Sequence, residues 1–238
     1  MAERSPGTHR GPVPGGRKVG RKPAFTAEDV VAAALAEGID RFTLAAVAER
    51  LGVVTTALYR VFPARDDLVV ACLDAAGATI TLPGVDMHWR AALRLWADEC
   101  WRICEDFPGL SRLVYTYPTA PTRIQYVFRA YATNLAAQGR TPGQAMFAID
   151  FIGDTVFASH WGVESMRSVD ERGRSGLEAV RDVVGDSTRD ADAMFNPDDS
   201  WTERTAMDVK IEFILAGLER DWPEFPSATP PRMDQVRE

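Results

Sequence analysis

The sequence predicts an all-α protein. From Phe25 onward apolar residues recur at steps of three and four, which is the spacing of one helix face. Threonines precede several of these apolar runs, and glycine or proline follows them, as expected where helices begin and end. No segment alternates apolar and polar residues between turn signals, so no strand is predicted. With 46% hydrophobic residues in 238, the chain can bury a sizeable core.

The composition argues against several classes of protein. No apolar run reaches the length that crosses a bilayer, and no secretory signal is recognisable, so we expect a cytoplasmic protein without membrane contact. Cys72, Cys100 and Cys104 are too few for a disulfide framework. Cys100 and Cys104 lie four apart on one helix face, where small buried apolar residues are expected rather than a metal or redox pair. No cofactor and no metal site are predicted.

The charge is unevenly distributed along the chain. The net charge is −7, which alone argues against a nucleic-acid partner. Residues 1–22, however, carry six basic residues against Glu3, a formal charge of +5 that leaves −12 for the rest. We interpret this segment as a disordered basic arm on an acidic body, able to contact DNA phosphates or a minor groove. The arm residues expected at DNA are Arg17, Lys18, Arg21 and Lys22. The alternative is a tail that only aids solubility.

Four helices are predicted in the first third of the chain. Thr26 and Thr43 are suitable N-caps, and Gly38 and Gly52 are suitable stops. The predicted helices run from Thr26 to Gly38, over residues 44–51, over residues 55–61 before Pro63, and from Arg65 towards Ile80. Pro83 and Gly84 then break the chain.

The remaining residues predict a larger helical lobe. Helices are expected over residues 89–107, 110–116, 122–138, 143–166 and 202–222, with a loop and one short helix near residues 177–184 between the last two. The predicted organisation is an arm (1–22), an N-terminal domain (23–70), a larger helical domain (71–222) and a proline-rich tail (223–238).

Residues 43–68 read TLAAVAERLGVVTTALYRVFPARDDL. Two short helices meet at a turn that contains Gly52, which is the spacing of a helix-turn-helix, whose second helix enters the major groove of DNA. That helix must expose short polar groups that reach phosphates and base edges. Thr55, Thr56, Tyr59 and Arg60 supply them, and Arg60 can read a guanine or hold a phosphate.

This constellation resembles the tetracycline-repressor (TetR) family over residues 24–80. The resemblance implies that Thr26 and Thr43 anchor phosphates, that residues 55–60 form the recognition helix, and that Arg65 contacts phosphate. The chain departs from the family at Pro63 and Ala64, where many members have lysine and a small polar residue. One phosphate contact is therefore in doubt.

The resemblance also implies an architecture and an activity. We expect an N-terminal three-helix helix-turn-helix DNA-binding domain followed by a larger C-terminal helical domain for ligand sensing and dimerisation. The function implied is a repressor that a small apolar or aromatic ligand releases from a pseudo-palindromic operator in double-stranded DNA. We expect a homodimer through residues 143–166 and 202–222. The predicted ligand contacts are Trp96, Trp101, Tyr115, Tyr131, Phe151, Asp154 and Trp161.

Several alternatives stay open at this point. Asp150 and Asp154 lie four apart within an apolar helix and can face solvent, the ligand pocket or the subunit interface. A ligand-independent activator or an architectural DNA-binding protein is the alternative function. An enzyme is disfavoured, because no catalytic arrangement or phosphate loop is recognisable and His88 and His160 stand alone.

Overall fold

The computed structural model describes residues 25–185 and 196–225, and all regular structure within these ranges is helical. Outside the helices it contains one isolated bridge between Val169 and Ser175. The α-helices are α1 (Ala27–Glu37), α2 (Leu44–Arg50), α3 (Thr55–Leu58), α4 (Arg65–Gly77), α5 (Trp89–Asp106), α6 (Leu110–Thr116), α7 (Gln125–Ala136), α8 (Pro142–Arg167), α9 (Gly176–Val184) and α10 (Thr205–Arg220). Two 3₁₀ helices cover Ala120–Ile124 and Asp199–Thr202. The predicted all-α fold is confirmed.

The predicted caps of the first two helices are present. The Thr26 hydroxyl accepts from the Asp29 N–H at 3.2 Å, and the Asp29 carboxylate accepts from the Thr26 N–H at 2.8 Å. Such a reciprocal pair satisfies two backbone donors at the start of α1. The Thr43 hydroxyl accepts from the Ala46 N–H at 3.1 Å and caps α2 in the same way. Gly38 follows α1 with φ at 101°, a conformation that glycine adopts readily.

The predicted third and fourth helices are too long. The third ends at Leu58 rather than at residue 61, and residues 59–61 follow it as turns in which the Val61 N–H donates to the Leu58 carbonyl at 2.9 Å. The fourth ends at Gly77 rather than near Ile80. There the Thr79 hydroxyl donates to the Ala76 carbonyl at 2.8 Å.

Three later helices also have boundaries that differ from the prediction. The expected helix over residues 122–138 begins as the 3₁₀ helix Ala120–Ile124 and ends at Ala136. The next helix begins at Pro142, a residue expected to separate two helices. Proline suits the first turn of a helix because its missing N–H has no partner there, and Thr141 completes a capping box. The last helix starts at Thr205, after a separate 3₁₀ turn.

The large lobe packs around α5 and α8. On α5, Trp89, Leu93, Trp96, Cys100 and Ile103 recur at alternating steps of four and three, and all are buried. The Trp96 indole N–H donates to the Ile149 carbonyl of α8 at 2.8 Å, so its polar atom is satisfied inside the core.

The cysteines behave as small core residues. All three are buried free thiols, and burial raises the pKa of Cys72 to about 12. Among the described residues no group of three or more histidine, cysteine, aspartate or glutamate side chains is placed to hold a metal. The described helices include none with the length and apolarity of a membrane span.

The N-terminal helices dock on the large lobe through the loop between α1 and α2. The Ile39 N–H donates to the Pro108 carbonyl at 3.1 Å, and Asp40 pairs with Arg112 of α6 at 2.9 Å. Gly109 has φ at 89°, and a Cβ there would lie 2.1 Å from Asp40 Oδ1. Only glycine allows the two loops to approach this closely.

We predict that Gly109→Ala destabilises the protein by about 2–4 kcal/mol. The variant has both a left-handed backbone conformation and a clash with the Asp40 side chain. Urea unfolding followed by circular dichroism measures the loss.

Gly139→Ala is the matched control. Gly139 has a similar φ of 81°, but nothing lies within 4 Å of the Cβ position. This variant should lose only about 1–2 kcal/mol, from backbone conformation alone. Equal losses in the two variants would show that the approach of Asp40 to Gly109 adds nothing to stability.

Candidate nucleic-acid interface and internal cavity

The helix-turn-helix is held by one buried side chain and one glycine turn. Leu58 of α3 is completely buried, and so is Val47 of α2. Gly52 turns the chain with φ at 66°, and the Val53 N–H then donates to the Ala48 carbonyl at 2.9 Å. Because Leu58 faces inward, the opposite side of α3 faces solvent.

The exposed side of α3 and the turn that follows it carry the polar groups that the sequence predicts. Thr56, Tyr59 and Arg60 are exposed, and Thr55 is half-buried. Within the described chain no carboxylate forms an ion pair with Arg60, so its guanidinium is available to phosphate or to a guanine edge. Val54, 68% exposed, adds an apolar contact at the start of the helix. The structure therefore brings these four predicted residues together on one surface.

Thr26 and Thr43 both lie exposed at helix starts. Each hydroxyl oxygen already accepts a backbone N–H as a cap. The hydroxyl hydrogen is left to donate to an anion, and the remaining N–H groups of the first turn point the same way. Phosphate anchoring by these threonines stays a prediction.

Arg65 lies in a different setting from the other predicted contacts. Its guanidinium donates to the carbonyls of Phe42 and Asp40, both at 3.2 Å. It also stacks over the Phe42 ring, 4.5 Å from the centroid. Arg65 thus ties the start of α4 to the loop between α1 and α2. The phosphate contact that the resemblance implies for Arg65 stays a prediction beside this structural role.

The described N-terminal domain is acidic. Residues 25–77 contain four arginines and eight aspartates or glutamates, a formal charge of −4. Such a surface repels DNA except where its arginines face it. The predicted arm contacts Arg17, Lys18, Arg21 and Lys22 lie outside the described residues.

The large lobe encloses a cavity of about 190 Å³. It lies between α4, α5, α6, α7, α8 and the 3₁₀ helix Ala120–Ile124, and most of its lining is apolar. Its lining residues are Leu73, Ala76, Gly77, Ile80, Trp96, Ile103, Leu110, Val114, Tyr115, Ala120, Pro121, Arg123, Ile124, Phe128, Met146, Ile149, Asp150, Gly153, Asp154 and Phe157.

The model for bacterial regulatory proteins of the tetR family matches residues 24–72, which are the helices just described. This stretch is a helix-turn-helix domain of the TetR type. Together with the regulator names of its relatives, the match identifies the chain as a DNA-binding transcriptional regulator, and the resemblance seen over these residues is confirmed.

Curated relatives of the chain are named as transcriptional regulators. It is 25% identical over 206 residues to an HTH-type transcriptional regulator of Saccharopolyspora erythraea, which covers 83% of this chain and 86% of that protein. It is 30% identical over 139 residues to the HTH-type transcriptional repressor DrrR1 of Streptomyces coeruleorubidus. That match covers 56% of this chain and about half of DrrR1, 52%. Both names describe regulators of transcription.

Solved TetR-family structures share the fold. The chain matches a single-residue variant of TetR from Acinetobacter baumannii, solved in complex with minocycline, with a TM-score of 0.58 and 24% identity over 82% of this chain and 97% of that one. It matches apo ActR of Streptomyces coelicolor with a TM-score of 0.61 and 17% identity over 84% and 99%. The predicted architecture, a helix-turn-helix domain before a larger helical domain, is confirmed.

The predicted ligand contacts fall into two groups, of which only one lines the cavity. Trp96, Tyr115 and Asp154 belong to its lining. The other four lie elsewhere: Trp101 is buried against the His160 ring, Tyr131 is buried with its hydroxyl donating to the Thr81 carbonyl, and Phe151 and Trp161 are exposed. No ligand contact by these four is expected from the structure.

Sequence reasoning missed most of the aliphatic lining and one electrostatic feature. Asp150 joins Asp154 in the lining, so the pair meets the cavity as well as solvent. Burial and the nearby charge of Asp154 raise the pKa of Asp150. The Tyr115 hydroxyl donates to the Asp154 carbonyl at 3.1 Å, and burial raises the pKa of Tyr115 to about 12, so the phenol is neutral at pH 7.

We predict that Arg65→Ala lowers the free energy of unfolding by about 1.5–3 kcal/mol, because two charge-assisted hydrogen bonds and the Phe42 contact are lost. Urea unfolding measures the change. Arg60→Ala, which removes an exposed arginine of the same domain, should stay within about 0.5 kcal/mol of the parent. If Arg65→Ala has the same free energy of unfolding as the parent, then the contacts of Arg65 with the two carbonyls do not hold the domain together.

Proposed function

We propose that this chain is a repressor that binds a pseudo-palindromic operator as a homodimer and is released when a small apolar effector enters the cavity. The observation that carries the proposal is that the walls of the cavity are the elements that hold the DNA-binding domain. α6 and the 3₁₀ helix Ala120–Ile124 line the cavity on one side and contact the N-terminal helices on the other.

The proposed DNA contacts are those of α3 together with the basic arm. The exposed groups of α3 supply base and phosphate contacts, and Thr26 and Thr43 supply phosphate anchors. Because residues 25–77 are net acidic, most of the general attraction to DNA must come from the cations of residues 1–22. This distribution of charge supports the interpretation of residues 1–22 as a DNA-contacting arm.

We predict that Arg60→Ala weakens binding to an operator selected from a random DNA pool by about tenfold. Fluorescence anisotropy at several salt concentrations measures it. If Arg60 holds a phosphate, the slope of log affinity against log salt falls by about one; if it reads a guanine, the slope is unchanged and one position of the site loses its preference.

Arg129→Ala is the matched control, since Arg129 is an exposed arginine of α7 in the large lobe. It should bind the operator like the parent. Unaltered affinity in an Arg60→Ala, Tyr59→Ala double variant would refute α3 as the reading helix.

The proposed subunit interface is formed by α8 and α10. On α10, Met207, Ile211, Ile214, Leu215 and Leu218 are buried within the subunit, but Val209 and Phe213 are 67% and 75% exposed. On α8, Phe151 is 46% exposed. Apolar side chains this exposed favour burial against a second copy. A two-fold pair then presents its α3 helices to half-sites about 34–36 Å apart.

The proposed coupling runs along two contacts. Arg123 of the 3₁₀ helix binds Asp74 of α4 through two nitrogens, at 2.7 and 2.5 Å. Arg112 of α6 binds Asp40, which precedes the helix-turn-helix, at 2.9 Å. An effector that prefers a wider cavity displaces these two walls, and with them the DNA-binding domain. The free energy of operator binding is weakened by at most the difference in the effector's binding free energy between the wider and the narrower cavity.

We predict that Gly77→Ala weakens operator binding without any ligand, by about tenfold. The added Cβ would lie 2.6 Å from Ile124 Cγ2, a methyl group fixed to a β-branched carbon, so the 3₁₀ helix must shift relative to α4. Anisotropy with the selected operator measures the effect.

Ile124→Ala removes the opposing methyl group and is the designed suppressor. Added to Gly77→Ala it should restore most of the affinity, while Ile124→Ala alone should change affinity little. Gly77→Ala with parent affinity, or with a loss that Ile124→Ala does not repair, would remove the contact between α4 and the 3₁₀ helix from the mechanism.

A further inference from the structure

Three charged residues line the cavity, and they differ in their partners. Arg123 is compensated, because both its Nε and its Nη2 bind the Asp74 carboxylate. Asp150 and Asp154 receive no ion pair or side-chain hydrogen bond from any residue in 25–185 or 196–225. Two carboxylates without a protein partner among the described residues thus lie, exposed to solvent, at the rim of a half-open apolar cavity.

The two carboxylates repel each other. They lie four residues apart on α8, so they share one side of the helix, where like charges are unfavourable. Water reaches both carboxylates from outside, but the apolar side chains on the cavity side cannot solvate them, so the repulsion is only partly screened. A cation between them would relieve it, and an anion would add to it.

The same rim offers aromatic rings to a cation. Tyr115 is held there by its hydrogen bond to the Asp154 carbonyl, and Phe128, Phe157 and Trp96 follow further along the lining. Aromatic faces attract ammonium groups, and their rings also accept an apolar body. The cavity and the carboxylates together therefore define a site that neither defines alone.

We propose that the effector is an amphiphilic organic cation, whose apolar body fills the cavity and whose ammonium group lies against Asp150 and Asp154; this assignment rests on the effector-released repressor proposed above.

Three probes with one apolar body test the charge preference: 4-tert-butylbenzylamine, which is protonated at neutral pH, 4-tert-butylbenzyl alcohol, and 4-tert-butylbenzoate. Isothermal titration calorimetry on the full chain measures affinity, and anisotropy measures operator release. The amine should bind about tenfold tighter than the alcohol, the benzoate should bind most weakly, and the amine should release DNA at the lowest concentration.

An Asp150→Asn, Asp154→Asn double variant should lose about tenfold in amine affinity and keep the alcohol within about twofold. Asp86→Asn with Asp221→Asn is the control of equal net charge, since both residues are exposed and lie outside the cavity lining. It should bind the amine like the parent. Sedimentation of each variant reports the subunit equilibrium.

Equal binding of amine and alcohol, or an amine affinity that survives the Asp150→Asn, Asp154→Asn change, would overturn the cation assignment. So would the absence of saturable amine binding below about 1 mM. A double variant that dissociates into monomers with unchanged amine affinity would assign the carboxylates to the subunit interface. Failure of the parent to bind any selected operator would instead refute the proposed function itself, since that measurement needs no probe.

Discussion

The docking of the loop between α1 and α2 on the turn between α5 and α6 is the contact on which the rest of the structure depends. The Ile39 N–H reaches the Pro108 carbonyl, Asp40 reaches Arg112, and Gly109 leaves just enough room for both. Without this contact, the N-terminal helices would be connected to the large lobe through α4 alone. With it, the position of α3 follows the position of α6.

This contact also explains why the cavity lies where it does. α6 packs on α8, the 3₁₀ helix packs on α4, and the cavity is the space that remains between α4 and α8. Longer helices here would fill that space with side chains.

Local signals explain what the sequence could predict. Thr26, Gly38 and Thr43 act through groups within four residues, so the first two helices and their caps follow from the sequence. Arg65 shows the limit, because its partners lie 23 and 25 residues earlier and become neighbours only after folding. The ligand residues show it too. Trp96 and Trp101 are both aromatic residues of one predicted helix and both predicted ligand contacts, but only packing decides that one meets the cavity and the other His160. The placement of Asp150 and Asp154 depends on tertiary structure in the same way.

The apolar cavity bears on regulation through energy as well as geometry. A ligand of matching shape gains dispersion contacts with the side chains that line it. This gain is the same for every position of the DNA-binding domain unless the wall moves with the domain. In the proposed coupling the wall moves with the domain, because Arg123 and Arg112 join it to Asp74 and Asp40. A ligand that fits both positions equally would bind tightly and regulate nothing. The strength of regulation is therefore set by how much the cavity changes when α4 and α6 move, and not by how well the ligand binds.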